Sequence, residues 1–315
     1  MSIEIIIPNY KGSNLIRENL PRVLDSIAES KNVIITIVDD GSGKEEESII
    51  KSIINDLINK YSFKINLLSN EKNEGFSSAI NKAAFKSNAD ILVFLNTDVS
   101  PSKNFLNPII ADFKKNNNLF GVGLMDKSEE GTKIILRGRG LAKWRRGLLI
   151  HKRGDTKGND TFWISGGSSA VNREKFREMG GFDEIYNPFY WEDIDLSYKA
   201  QKLGFDILFE NKSVVFHNHH EGAIKKNYDE DKINRIAYRN QFIFIWKNIT
   251  DFDLFFSHLF WLPAHIIKAV LRLDWQFVLG FLIALVKIPD IIRKRARQKK
   301  NFIVKDKNIL AKFEK

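Results

Sequence analysis

The sequence predicts an α/β fold: a mainly parallel sheet flanked by helices, followed by amphipathic helices toward the C-terminal end. Three observations carry that expectation. Short β-branched runs alternate with longer helix-like stretches over roughly the first 125 residues, the pattern of successive βαβ units. Four of those runs end in polar residues, at Asn9-Tyr10, Asp39-Asp40, Asn70 and Asn96-Thr97-Asp98. Open parallel sheets bind ligands beyond the carboxyl ends of their strands, so four polar strand ends predict a nucleotide site. Beyond residue 250 the pattern changes to aromatic and aliphatic residues at three- and four-residue spacing, and then to a basic tail.

The elements follow in order. Ile3 to Ile7, Val33 to Val38, Ile65 to Leu68 and Ile91 to Leu95 read as strands, with Phe120 to Met125 a fifth. Asn14 to Ser30, Glu45 to Lys60, Phe76 to Ser87 and Asn104 to Asn116 have helical spacing. Residues 126–160 are Gly-, Lys- and Arg-rich and periodic in neither sense; Lys133 to Arg153 holds eight basic residues and no acidic one, which predicts either a mobile loop over the site or simply a solvated loop. Phe162 to Val171 reads as a strand with a bend at Gly166-Gly167, and Glu174 to Met179 as a short helix. Glu192 to Leu203 is a helix stopped by Gly204. Ile207 to Phe209 and Val214 to Phe216 are two short strands, the second running into His217-Asn218-His219-His220, and Asp229 to Lys247 is a helix. The expected division is a catalytic domain over 1–225, a connecting helix over 226–250 and an amphipathic, basic segment over 251–315.

Composition narrows the function classes. With 43% hydrophobic and 28% charged residues the chain can build a sizeable core. It has no cysteine, so disulfides and thiolate metal sites are excluded and any metal must take oxygen or imidazole ligands. The start, Met-Ser-Ile-Glu-Ile-Ile-Ile-Pro, lacks the pattern of a signal peptide, which predicts a cytoplasmic protein. The net charge is +10, and Lys287 to Lys315 alone holds eleven Lys/Arg against three Asp/Glu, a surplus of eight. A basic tail behind an apolar segment favours an anionic membrane surface over nucleic acid. The uncharged run from Trp275 to Val286 is shorter than the roughly 20 residues a span needs, so an interfacial position on the inner face of the cell membrane is expected, with Trp261 and Trp275 at headgroup depth. An amphipathic helical pair packed on the catalytic domain, or on a second copy in a homodimer, is the rival reading.

Six motifs stand in series: Ile-Ile-Ile-Pro-Asn-Tyr; Val-Asp-Asp-Gly-Ser; Asn73-Glu74-Gly75-Phe76-Ser77-Ser78-Ala79-Ile80-Asn81; Leu-Asn-Thr-Asp; Gly180-Gly181-Phe182-Asp183-Glu184; and Trp191-Glu192-Asp193-Ile194-Asp195-Leu196. Over residues 3–222 the chain resembles the family-2 glycosyltransferases, most of all bacterial rhamnosyltransferases and galactofuranosyltransferases of cell-surface polysaccharide assembly. The resemblance implies the GT-A fold, a nucleotide-diphosphate sugar donor and inversion at the anomeric carbon. It implies that Asp39 accepts the imide N–H of a uracil or thymine ring walled by Pro8, Asn9 and Tyr10. Asn73 and Gly75 would approach the ribose or diphosphate. Asp98 would hold a divalent cation, Mg²⁺ or Mn²⁺, against that diphosphate, with His217 or His219 completing the site. Asn96 stands where the family more often has Asp, which lowers the charge at the metal and frees this amide for the donor ribose or sugar. Gly167, with Gly166 and Ser168, would wall the donor sugar. Asp193 is the expected general base, Glu192 and Trp191 are expected to orient the acceptor, and Asp195 is structural. Arg137, Arg139, Arg145 and Arg146 are candidates for an acceptor pyrophosphate.

The expected activity is transfer from dTDP-rhamnose or a UDP-sugar to a saccharide, polyprenyl-linked at the membrane. Two rivals remain. A non-catalytic nucleotide-sugar binding protein of the same fold is kept open by Asn96. A nucleotidyltransferase would want a richer phosphate loop than Asn9-Tyr10-Lys11-Gly12-Ser13.

Overall fold

The computed structural model describes residues 1–130, 133–217 and 228–314. Strand β1 (Ile3–Asn9) lies at the middle of one parallel block, with β2 (Val33–Asp39) and then β3 (Lys64–Ser69) on one side and β4 (Ile91–Leu95) on the other. Helices α1 (Ser13–Ser26), α2 (Lys44–Ile58) and α3 (Phe76–Lys86) make the crossovers. The chain therefore runs outward from β1 to β3 and returns to the far flank of β1 at β4. That reversal opens a crevice at the carboxyl ends of β1 and β4, with Asn9 on one lip and Asn96 on the other. The apolar runs are buried on both faces, as strands covered by helices on either side must be: Ile5, Ile35 and Val93 belong to one core cluster and Ile6, Val38 and Phe94 to another.

Beyond β4 the sheet is mixed. After β5 (Val99–Pro101) and α4 (Leu106–Lys115) come β6 (Leu119–Glu130) and β7 (Lys133–Arg137); β10 (Ser168–Asn172) and β11 (Asp206–His217) complete the order β3-β2-β1-β4-β10-β6-β11-β5, with β7 paired to β6. Strand β10 is antiparallel to both β4 and β6. Where two strands were expected between 207 and 216, β11 is one strand with a register shift between Glu210 and Val214. Only Ser168 onward of the expected strand from Phe162 pairs in the sheet.

The basic stretch is not a loop. It contains β7 and the hairpin β8 (Gly140–Arg145) and β9 (Leu148–Arg153). Arg146 (φ 49) and Gly147 (φ 76) form its two-residue turn, which needs positive φ at both positions. The turn resets the two-residue alternation, so Ala142, Leu148 and Leu149 face the interior while Arg145 and Arg146 are exposed. No single period survives across the stretch.

The C-terminal helices α7 (Glu230–Asn248), α8 (Phe252–Leu271), α9 (Trp275–Val286), α10 (Ile288–Lys299) and α11 (Asp306–Leu310) follow short helix α5 (Arg173–Glu178) and α6 (Glu192–Lys202). One core cluster joins Leu149, Trp191 and Tyr198 to Phe242, Phe244, Phe277 and Ile309, so it spans both expected boundaries, at 225 and 250. Polar contacts reinforce it. Asp306, fully buried, accepts from Lys202 Nζ (2.8 Å), Tyr198 Oη (2.5 Å) and the Thr250 and Asp251 amides (2.6 Å each). A buried charge is tolerated only when paired and hydrogen-bonded in this way.

Candidate active site

A cavity of about 490 Å³ opens at the crevice between β1 and β4. Its walls hold Pro8, Asn9 and Tyr10 from the end of β1, Asn73 and Gly75 from the approach to α3, and Asn96 and Asp98 from the end of β4. Ser165, Gly166 and Gly167 form another wall; Glu192 and Asp193 from the start of α6 and His217 from the end of β11 complete it. The carboxylates of Asp98 and Asp193, ninety-five residues apart in sequence, thus face one space.

Each wall has a local cause. Gly75 sits at φ +92 with its N–H donated to Asp40 Oδ2 (2.8 Å), and a Cβ there would meet the Asn187 side chain at 2.9 Å. At Gly167 a Cβ would lie 2.3 Å from the Asn96 amide nitrogen, so glycine makes the room in which Asn96 stands. Asp40, beside the expected Asp39, lines the cavity and accepts from Asn70 Nδ2 (2.7 Å) and the Glu74 and Gly75 amides. Asp39 is 1% exposed and is not among the lining residues; its carboxylate accepts from Asn9 Nδ2 (2.7 Å), Ser42 Oγ (2.6 Å) and the Ser42 amide (3.1 Å).

At the other end, Tyr190 (φ 70) and Trp191 (φ 76) are consecutive left-handed residues immediately before α6. Trp191 is not in the cavity wall. Its ring packs edge-on against His151 (5.1 Å between centroids) and tilted against Phe244 (5.2 Å), and Tyr190 lines the cavity in its place. The positive φ values turn Trp191 into the core and deliver Glu192 and Asp193 to the cavity. Asp193 Oδ1 accepts from the Ile194 amide (2.8 Å) and Oδ2 from the Gly166 amide (3.3 Å). Burial outweighs these bonds and raises the Asp193 carboxyl to about 6. Burial and the neighbouring Asp193 charge push Glu192 well above the ordinary carboxylate range, and its buried Oε2 has no hydrogen-bond partner among the described residues. The pair offers a neutral acid beside a base that is ionised at neutral pH.

Asp98 Oδ1 and His217 Nε2 converge to 3.2 Å, and His217 Nδ1 meets Asp126 Oδ2 at 2.9 Å. Burial acts to lower the His217 pKa, but hydrogen bonds and charge from Asp126 and Asp98 lift it to about 9. Among the described residues no group of three His, Asp or Glu side chains is arranged as a metal cage. Asp98, and His217 once a cation displaces its Nε2 proton, would suit Mg²⁺ or Mn²⁺, which commonly take one or two protein donors and complete their shell with phosphate and water. Asp126 fixes the imidazole as a carboxylate behind a ligating histidine does. His219, the other expected ligand, lies outside the described residues. Of the expected phosphate-binding arginines only Arg137 lines the cavity; Arg139 pairs with Asp155 (3.1 Å) and Asp160 (2.8 Å), and Arg145 and Arg146 are at the far hairpin turn.

Residues 4–180 match glycosyl transferase family 2, more than half of the chain. The chain belongs to that family. It is 25% identical over 236 residues to the probable N-acetylgalactosaminyltransferase 7 of Caenorhabditis elegans, covering 69% of this chain and 38% of that one. It thus spans little more than a third of the length of that curated relative. Its fold is similar to GalNAc-T7 solved with UDP, GalNAc and Mn²⁺ (TM-score 0.63, 19% identity, 78% of this chain and 48% of that one). It is also similar to S. aureus TarS solved with UDP-GlcNAc (TM-score 0.61, 14% identity, 99% and 91%). The architecture is the GT-A fold of these structures.

In this member of glycosyl transferase family 2 the parts that the motifs did not single out lie behind the acidic turn. Asn240 of α7, fully buried, directs its Nδ2 at the carbonyls of Tyr186 (2.9 Å), Phe189 (3.0 Å) and Tyr190 (2.8 Å). Lys247 of the same helix donates to Asp183 (2.6 Å) and Asp195 (2.8 Å), and Lys294 of α10 reaches Asp183 (2.8 Å). Asp195 also accepts from Tyr186 Oη (2.8 Å) and Asn248 Nδ2 (2.6 Å). Nothing in the sequence sets Asn240 and Lys247 apart from the other polar and charged residues of Asp229 to Lys247; only their burial does.

Proposed function

We propose that the protein is an inverting glycosyltransferase that moves a sugar from a uridine or thymidine diphosphate donor to a saccharide hydroxyl. The observation that carries the reading is the opening of Asp98 and the Glu192-Asp193 pair onto one cavity. The donor base lies against Pro8, Asn9 and Tyr10, and the diphosphate lies toward Asp98 and His217. Those two side chains would hold a divalent cation, which would supply positive charge against the departing diphosphate. Asp193 accepts the proton of the acceptor hydroxyl as its oxygen bonds to the anomeric carbon. The bond from that carbon to the phosphate oxygen breaks, and the nucleoside diphosphate leaves with the electron pair. Attack opposite the leaving group inverts the centre. Glu192, held neutral, donates a hydrogen bond to the acceptor. Such general-base help is worth roughly 10²–10⁴ in rate.

The motifs favour dTDP-rhamnose as donor. A second reading, a UDP-N-acetylhexosamine, is supported by the UDP, GalNAc and UDP-GlcNAc of the two structural neighbours, and Mn²⁺ by one of them. The acceptor we infer is a lipid-linked saccharide at the inner face of the cell membrane, in cell-surface polysaccharide synthesis; Arg137 in the cavity wall is of the type that takes its pyrophosphate. A thermal-shift screen of nucleotide sugars, with and without Mn²⁺, tests the reading. One donor alone, stabilising only with the cation, is the expected result. Equal response to every nucleotide, or to none, overturns it. Anomeric proton NMR of the product tests inversion.

A further inference from the structure

Twenty-four large apolar side chains are exposed among the described residues, and fifteen of them lie between Phe252 and Ile292. On α8 they recur at four- and seven-residue steps through Phe252, Phe256, Phe260, Ile267 and Leu271, which is one face of one helix. On α9 the stripe continues through Trp275, Leu279, Ile283 and Val286. The opposite faces are satisfied: His258, Ala269, Phe277 and Ala284 are buried in the core shared with the catalytic part. Soluble monomers rarely leave so continuous an apolar face to water.

Basic side chains border the face. From Phe252 to Lys300 there are nine Lys/Arg and three Asp/Glu, a surplus of six. The β8–β9 turn adds Arg145 and Arg146, with the Arg146 guanidinium 5.4 Å from the Trp261 ring centroid. An aromatic and aliphatic face bordered by cations is complementary to the surface of an anionic bilayer. It is less suited to a second copy, since a two-fold interface uses the same patch twice and would bring two basic borders into one contact.

Helix α8, with 20 residues, is long and apolar enough to cross a membrane. Its contacts argue for another orientation. His258 Nδ1 meets the Gly147 carbonyl (2.7 Å) and His265 Nε2 the Arg146 carbonyl (2.8 Å), so the basic hairpin turn lies along the middle of the helix. A spanning helix would carry Arg145 and Arg146 to the centre of the hydrocarbon, where cations are most costly. Lying flat, the helix buries its stripe and leaves those arginines among the headgroups. The chain then bends by 65° between α9 and α10.

We propose that the outward face of α8 and α9, together with the Arg145-Arg146 turn, docks in the plane of an anionic bilayer without crossing it. Strand β9 leads from that turn to His151, whose ring meets Trp191, the residue immediately before the acidic pair.

Flotation of the full chain with phosphatidylcholine vesicles, with and without phosphatidylglycerol, tests this. Binding is expected only to the anionic vesicles and is weakened by high salt. Arg145→Glu with Arg146→Glu should reduce it by about tenfold or more. Phe256→Ser with Phe260→Ser and Ile267→Ser, all at exposed positions, should abolish it while donor-induced thermal stabilisation is unchanged. Wild-type chain that stays with neither vesicle overturns the proposal. So does a dimer in light scattering that the triple serine variant dissolves, which assigns the face to a second copy. Resistance to alkaline carbonate extraction would assign α8 to a span. Vesicle binding and donor binding are separate measurements, so the failure of either leaves the other reading standing.

Discussion

Replacing Asp193 by Asn should make the protein less active and more stable at once. Moving the Asp193 carboxyl from 3.8 to about 6 corresponds to ~3 kcal/mol, at about 1.4 kcal/mol per unit. The folded pKa lies above the unfolded one, so the fold binds this proton more tightly than the unfolded chain does. Stability from this group is therefore complete below about 4, is lost as pH rises to about 6, and stays lost above that. Asn carries no charge, so it escapes the penalty at neutral pH. Two effects shrink the gain. The carboxylate is only half-buried and open to a cavity that water fills, which screens part of the penalty. Asn also cannot accept from both Ile194 and Gly166, which returns about 1 kcal/mol. A net gain of about 1 kcal/mol is left, or ~2 °C in Tm. Differential scanning fluorimetry of both proteins from pH 4 to pH 8 reads it. The Asn variant should melt higher at pH 7, with the gap closing toward pH 4, while transfer falls by roughly 10²–10⁴ and donor stabilisation persists. An Asn variant that melts lower at pH 7, or transfers at the wild-type rate, refutes the assignment of Asp193 as a buried base. In the wild type, kcat/KM should fall as pH drops through about 6, where the base becomes protonated.

The remaining predictions concern the metal side and the support behind the acidic turn. Asp98→Ala, and separately His217→Ala, should remove the Mn²⁺-dependent part of the thermal stabilisation by UDP or a UDP-sugar; an unchanged Mn²⁺ increment in both would remove those residues from the metal site. Asn240→Ala removes the side-chain donor from the Phe189 and Tyr190 carbonyls and leaves Tyr186 with Arg239 alone, and should cost about 1–3 kcal/mol in chemical denaturation, with kcat reduced more than donor affinity. Rescue by an unrelated stabilising mutation of Tm but not of kcat would identify a positioning role. Lys247→Met removes the cation from buried Asp195, which keeps its hydrogen bonds from Tyr186 and Asn248, and leaves Asp183 paired with Lys294 alone, and should cost about 3–5 kcal/mol in urea unfolding. A loss below about 1 kcal/mol would mean that the network is not energetically coupled to the fold.

Much of the site was legible because it lies where chain direction and local composition coincide. Asn9, Asn96 and Asp98 end or follow buried strands, and parallel strands bring their carboxyl ends together whatever the helices between them look like. Glu192 and Asp193 were legible as acids opening a helix. Side-chain direction was not. Trp191 and Glu192 are adjacent, yet two left-handed residues send one into the core and the other into the cavity. Asp39 and Asp40 read as one motif, but Ser42 and Asn9 saturate the first while the second lines the cavity. Single-residue direction depends on φ and on partners distant in sequence, and neither leaves a periodic trace.

The order and type of the elements of the first parallel block, the family and the position of most of the cavity wall were determined by the sequence alone, since burial on two faces and turn chemistry write themselves into residue patterns. The tertiary structure alone decided that the C-terminal helices share a core with the catalytic helix, that Asn240 and Lys247 brace the acidic turn, and that a continuous apolar face remains outward. Those facts depend on contacts between segments fifty or more residues apart. A local pattern states which residues want burial, but only the packed chain determines what buries them.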